Sequence, residues 1–382
     1  MSLSMFRASV LKRGFSVSAT SMKSVAHGPL PTFEPTSNPD LDASISELRT
    51  KLFIPSRMAS HHKALQLRAK NHKILETEPV EVEVAGEIVP LVPLQHAPSI
   101  STASYTHTLS KIKTPEDCDI IPGLIEGFAQ ADRKLKPGQL EKTARVIVMN
   151  GRIDLIRELV GLAGETSGWR FNLQTARECM RGAKVYNMAA VNKKQALKAV
   201  KVVEKLMWAF GRNNKVAVMR STLQNDPIIN GLALSINTST SIRFYNGKDD
   251  AGQVAAGIKK LQNHWERAQG FLDKNLADMK QKERAIYAGK NLRDWLPVLE
   301  GLFQARDILR GTEYISWIEE KSAVVNEKVV EWKAIIEEAG MKPVGYHSYK
   351  RVAEELKARL EEEQVCDETA EEEEEGEGEK KE

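Results

Sequence analysis

Beyond Thr114 the chain repeats one pattern, with apolar residues at i, i+3, i+4 and i+7 interrupted by short turns that carry Gly or Asn. The segments LIRELVGLA (Leu155–Ala163) and ALKAVKVVEKLMWAF (Ala196–Phe210) show it most clearly. The pattern predicts helices over about 115–133, 138–149, 152–164, 173–189, 193–210, 215–223, 227–240, 249–273, 275–288, 291–310, 312–338 and 347–364. The first opens on TPED, with Thr114 as N-cap, proline at the first helical position and acids in the first turn. Asn150-Gly151, Asn213-Asn214 and Asn246-Gly247 supply turns between successive helices. Short loops between amphipathic helices make neighbours antiparallel. The expected fold is all-α, an irregular array of antiparallel helical hairpins resembling an α-solenoid.

The pattern before Thr114 differs. Pro29, Pro31, Pro35 and Pro39 mark an extended linker, and residues 43–53 read as a short helix stopped by Pro55. A second helix, Arg57–Leu75, is rich in basic residues. Val80, Val82 and Val84 alternate with glutamates before Ala85-Gly86 and Ile88-Val89, the signature of a small β-hairpin. A Ser/Thr-rich loop follows over 97–113. Residues 1–30 contain Arg7, Lys12, Arg13 and Lys23 and no acid, with Leu3, Phe6, Val10 and Leu11 on one helical face. Basic, serine-rich, acid-poor and amphipathic describes a mitochondrial transit peptide. The expected organisation is a transit peptide over 1–25, an extended basic region over 26–113, a helical-repeat domain over 114–360 and an acidic tail over 361–382.

Charge sharpens this picture. The net charge is +3, but residues 361–382 carry about 13 acidic and 2 basic side chains, leaving the remainder near +14. The tail cannot bury apolar surface and reads as a solubilising segment or a mimic of nucleic acid. A basic body makes a polyanionic partner plausible. No run approaches the roughly eighteen apolar residues of a membrane span. Cys118, Cys179 and Cys366 are too few and too scattered for a disulfide framework or a zinc site.

The motifs of common enzymes are missing. There is no dinucleotide fingerprint, P-loop, zinc-protease motif or paired Cys-x-x-Cys. Gly289-Lys290 lacks the upstream glycine of a phosphate loop, and NGKDDAG (Asn246–Gly252) lacks the distal ligands of a calcium loop. Neither a catalytic residue, a cofactor nor a metal is expected, and adjacent His61 and His62, with His72, read as surface residues. Two basic stretches are the candidates for binding RNA. Arg57, Lys63, Arg68, Lys70 and Lys73 lie in a segment without an acid, and Lys194, Lys198, Lys201 and Lys205 share one helical stripe, with Lys193 beside it. Such cations attract phosphates without reading bases. The tryptophans 169, 208, 265, 295, 317 and 332 read chiefly as packing between hairpins, with base stacking as the other use of such rings.

The segment LEKTARVIVMNGRIDLIRELVGLAGETSGWRFN (Leu140–Asn172) resembles a pentatricopeptide repeat, and EEAGMKPVGYHSYKRVAEEL (Glu337–Leu356) resembles the boundary between two such repeats. Together they cover about fifty residues. The resemblance, shared in part with tetratricopeptide-like arrays, implies a helical-hairpin solenoid that binds single-stranded RNA in an organelle. The family's aromatic would fall at Ser348, whereas here Tyr349 is one place later, so no base-reading positions carry over. The expected function is therefore that of a mitochondrial matrix protein binding RNA or ribonucleoprotein. It would serve as a mitoribosomal subunit or a translation- or transcript-associated factor, with RNA or the mitochondrial ribosome as partner. The alternative is a helical scaffold or assembly factor for a respiratory or other matrix complex, with its basic face on other matrix proteins or peripherally on the inner membrane.

Overall fold

The computed structural model of the chain describes residues 30–78, 80–94, 100–163, 168–212, 223–276, 278–341 and 348–362. The expected presequence, nearly all of the predicted helix 215–223 and the acidic tail from residue 363 onward lie outside them. The N-terminal part comprises α1 (Pro39–Leu48), a π-helical turn (Arg49–Phe53), α2 (Ile54–Arg57), α3 (Ser60–Leu67), α4 (Ala69–Thr77), β1 (Glu81–Val84) and β2 (Glu87–Pro90). The body comprises α5 (Thr102–Leu109), a 3₁₀ turn (Glu116–Asp119), α6 (Ile120–Gln130), α7 (Pro137–Met149), α8 (Ile153–Leu162), α9 (Leu173–Ala189) and α10 (Lys193–Arg212). It continues through α11 (Pro227–Phe244), α12 (Gln253–Asn263), α13 (Trp265–Leu272), α14 (Gln281–Ile308), α15 (Ile315–Glu338) and α16 (348–362). Among the described residues the fold is all-α apart from one antiparallel hairpin. That hairpin pairs Val82 with Val89 and Val84 with Glu87, burying Val82 and Val84 while Glu81 and Glu83 face water. Its turn needs left-handed backbone at both Ala85 and Gly86.

The body is a stack of helical hairpins. The α7–α8, α9–α10 and α11–α12 pairs pack in sequence, with α7, α9 and α11 neighbouring one another in one row and α8 against α10 in the other. Next, α11 packs along α14, which packs along α15. Small residues allow the α11–α14 approach. A Cβ on Gly231 would lie 2.5 Å from Val298 Cγ2, and one on Gly301 would lie 3.0 Å from the Ser235 backbone. At the end of α15, Gly340 adopts φ +62°. Its N–H donates to the Glu337 carbonyl and that of Met341 to the Ile336 carbonyl, the paired bonds of a Schellman cap.

Several boundaries differ from the sequence pattern. Pro55 does not stop the first helix, because the wide π-helical turn places it in the first turn of α2, where a missing N–H is tolerated. That turn drives Phe53 into the core, stacked on Phe33 and edge-on to Phe128. The single helix expected over Arg57–Leu75 is broken at Met58 and Ala59, and again at Arg68, all with extended ψ. Burial of Met58 turns the chain, and α4 folds back so that Asn71 Nδ2 donates to the Leu65 carbonyl and His72 Nε2 meets that of Gln66. The expected pair 275–288 and 291–310 is one continuous helix, α14, because packing on α11 and α15 carries it through Lys290 and the internal Pro297. Conversely, 249–273 breaks at His264, which sends Trp265 edge-on against Trp295 and Trp317.

The last helix does not cap the far end of the array, as its place in the chain suggests. Instead, α16 folds back over the earlier hairpins. Arg359 reaches the Asn150 carbonyl in the α7–α8 turn at 3.4 Å, and Leu356 abuts Gly151.

Candidate nucleic-acid interface

Helix α9 sets the position of the site and is buried almost all round, including its charged residues Arg177, Glu178, Arg181 and Lys184. Buried charge persists only when it is paired and hydrogen-bonded. Here Arg177 forks onto Asp226, with Nε to Oδ1 at 3.1 Å and Nη2 to Oδ2 at 2.6 Å, and its Nη1 donates to Asp294 Oδ2 at 3.0 Å. Arg181 donates to Asp294 Oδ1 and lies 3.1 Å from Glu178 Oε2. Arg145 on α7 and Arg293 on α14 approach Glu178 Oε1 at 3.2 and 3.5 Å. Burial alone would raise the Glu178 carboxyl, but Arg181, Arg293, the Tyr349 hydroxyl and Arg145 hold it below its ordinary range. Asp294 behaves likewise, with Arg181 the strongest opponent of burial. Asp226 is also the N-cap of α11, accepting from Ile229 N–H at 3.0 Å. The network thus joins α7, α9, α11, α14 and α16 through one chain of charges.

The α9–α10 turn is closed by Arg243, which donates to the carbonyls of Asn187, at 2.7 Å, and Ala190. A capping box then starts α10: Gln195 N–H donates to Asn192 Oδ1 at 2.9 Å, and Gln195 Oε1 accepts from Asn192 N–H at 3.4 Å and also from Val191 N–H at 2.8 Å. The apolar face of α10, with Ala199, Val203, Leu206 and Phe210, is buried. The opposite register leaves Lys194, Lys198, Lys201 and Lys205 exposed.

These four lysines line an open cleft of about 500 Å³ together with Arg157 of α8, Tyr186 of α9, Asn192, Gln195, Val202 and Leu360 of α16. Among the described residues, five cations and no carboxylate line it. Lys198 Nζ sits 5.4 Å from the centre of the Tyr186 ring. The arrangement is a water-accessible positive trough with an aromatic floor, suited to neutralising a phosphate backbone. Lys193 lies off this stripe, over the Tyr245 ring at 4.2 Å.

The N-terminal cations are not gathered in the same way. Arg57 and Lys63 are half-buried, and burial lowers the Arg57 guanidinium with partial compensation from Glu126. Arg68, Lys70 and Lys73 are exposed, but the break at Arg68 separates α3 from α4, so the five form no single stripe. The rings of His61 and His62 lie 3.9 Å apart between centroids. Among the described residues no His, Cys, Asp or Glu cluster is arranged to hold a metal, and no helix is long and apolar enough to cross a membrane.

Sequence pattern did not single out Arg157, Tyr186 or Leu360, since each joins the cleft only through the stacking of α8, α9 and α16 on α10. The tryptophans follow the packing expectation with one exception. Trp169, Trp265, Trp295 and Trp332 are buried and Trp317 packs against the core, whereas Trp208 on α10 is 58% exposed.

A hairpin array carrying a cationic trough suits a polyanionic partner. The profile of one family, mitochondrial ribosomal protein mS27, matches residues 13–361, and the chain belongs to that family. The Small ribosomal subunit protein mS27 of Neurospora crassa is 21% identical over 271 residues, spanning 64% of this chain and 67% of that protein. The chain is accordingly a mitochondrial ribosomal protein of the matrix, with the mitochondrial ribosome as its partner. Of the two functions expected from sequence, the ribosomal one agrees with this membership. The family matched is mS27 and not the pentatricopeptide repeat.

Proposed function

We propose that this chain is a structural, non-enzymatic component of the small subunit of the mitochondrial ribosome, and that the lysine face of α10 holds ribosomal RNA. The observation that carries the second statement is the α10 cleft, where Lys194, Lys198, Lys201 and Lys205 converge with Arg157 and, among the described residues, no carboxylate lines the wall. Five cations on one rigid surface release counterions from a phosphate backbone without selecting sequence. The small-subunit placement follows the Neurospora crassa relative, a small ribosomal subunit protein. The buried charge network supports a structural role, since it fixes the hairpins that aim the lysines. Arg68, Lys70 and Lys73 form a second, weaker contact, with Arg57 and Lys63 as its half-buried flank. The α7–α12 hairpins are read as a degenerate pentatricopeptide-like array serving as framework.

The test is gradient sedimentation of mitochondrial lysate from cells carrying the wild-type chain or Lys198→Glu/Lys201→Glu. The wild type should travel with the small subunit and the variant should be depleted there. A wild type found only in the unassembled fractions would defeat the subunit assignment. Full occupancy by a folded variant would defeat the RNA role of α10.

A further inference from the structure

The lysine stripe on α10 does not end at Lys205. From Lys194 the steps to Lys198, Lys201, Lys205 and Trp208 are four, three, four and three residues, so all five side chains stay on one helical face. Trp208 lies one turn beyond the last lysine, and the whole row spans about 21 Å along the helix axis. The residue is 58% exposed, in a chain whose other described tryptophans serve the core. A purely phosphate-binding surface has no use for a large exposed ring at the end of its charges. A single strand does, because unpaired bases stack on aromatic faces while the backbone follows the cations. A duplex hides its base faces within its own stack.

Resting on the RNA reading above, we propose that α10 takes a single-stranded RNA segment, with its phosphates along Lys194–Lys205 and one unpaired base stacked on Trp208. The lysines set the affinity that salt erodes, and the indole sets the preference for an unpaired strand. The occupant is RNA rather than a protein because the ring continues a row of cations in register. A partner protein docking on the same ring is the competing outcome of the test.

The experiment titrates the full chain with a short oligoadenylate, an RNA duplex of the same length and inorganic polyphosphate, which has the charge without bases. Trp208→Ala should weaken oligoadenylate binding at least about fivefold. It should leave polyphosphate binding and the salt slope unchanged. Trp208→Phe, which keeps a ring, should recover part of the loss, and oligoadenylate should quench tryptophan fluorescence in the wild type but far less in Trp208→Phe. Lys198→Ala/Lys201→Ala should instead weaken oligoadenylate and polyphosphate together and flatten the salt dependence. If Trp208→Ala binds oligoadenylate as the wild type does, or the duplex binds as tightly as the single strand, the stacking inference falls while the lysine reading stands. If neither polyanion responds to the lysine changes, the lysine reading falls and takes this one with it. Crosslinking within the assembled ribosome that places Trp208 only against protein would likewise overturn the inference.

Discussion

The Tyr349 hydroxyl donates to Glu178 Oε2 at 2.7 Å, joining α16 to α9 across 171 positions of chain. The tyrosine is buried and its acceptor is already held by three guanidinium groups, so the bond locks the last helix onto the charge network. Tyr349→Phe removes the donor and little volume. Hydrogen bonds to charged groups contribute roughly 1.5–3 kcal/mol, so the urea midpoint should fall accordingly. An unchanged midpoint would mean that Leu356 and Arg359 hold α16 without help.

The same pair has an alkaline consequence. Burial first, then the charge of Glu178, pushes the Tyr349 phenol up to about 12 from an ordinary value of 10.0. The folded chain therefore favours the neutral phenol. Its contribution is complete below pH 10 and is lost as pH rises from there towards about 12. Melting temperature measured across this window should decline in the wild type and decline less steeply in Tyr349→Phe. Parallel slopes would assign the alkaline loss to other groups, such as the fully buried Tyr105, whose phenol burial also raises.

Glu178 and Asp294 act at the opposite end of the scale. Both carboxyls are held below their ordinary values of 4.5 and 3.8 in the folded chain. A depressed carboxyl stabilises the fold above the unfolded value, and that share disappears as acidification protonates the folded group. Thermal stability should therefore drop as pH falls through about 4 and below. Glu178→Gln leaves Arg145, Arg181 and Arg293 facing no charge at that position, at a cost of about 3–5 kcal/mol near neutrality, and its acid limb should be shallower. Loss of equal size in Glu141→Gln, whose carboxylate meets Arg145 nearer the surface, would contradict the central place given to Glu178.

Close packing of α11 on α14 predicts a steric effect. Valine at Gly301 would drive side-chain atoms into the Ser235 backbone, which cannot rotate away. Overpacking of this kind costs typically 1–3 kcal/mol, and more where backbone must shift. Gly301→Val should lower the melting temperature far more than Gly270→Val, where a Cβ meets nothing within 4 Å. Similar losses would show that helix propensity alone accounts for the change.

Much of this architecture was legible in the pattern of apolar positions. Helix α9 matches its predicted limits, α7 differs by one residue, and the valine alternation placed the hairpin. The misses share a cause, which is packing between elements remote in sequence. The Gly289-Lys290 step looked like punctuation between two helices, yet contact with α11 and α15 keeps α14 helical through it. Tyr349 stood out only as an aromatic one place from the repeat register, although its partner Glu178 explains why it is there. The lysine stripe was visible because it is periodic within one helix. Arg157 and Leu360 were not, because their nearness to it depends on where α8 and α16 come to rest. The charged residues of α9 gave no local signal at all, since a buried salt bridge reads in sequence like an ordinary polar face.

Placement of the cations predicts an order of effect between the two basic regions. Lys198 and Lys201 point into one cleft with three other cations, so they act on the same stretch of backbone. Arg68, Lys70 and Lys73 lie on the far side of a helix break from Lys63, and Arg57 is half-buried beside Glu126. For a single strand, each lysine that neutralises a phosphate contributes about 0.7 to the slope of log affinity against log salt. Lys198→Ala/Lys201→Ala should therefore lower that slope by about 1.4, with affinity for oligoadenylate falling most at low salt. Replacing Arg68, Lys70 and Lys73 together should change it less, despite removing more charge. A larger change from the α4 triple variant would move the principal RNA contact to the N-terminal region and leave the α10 cleft a secondary surface.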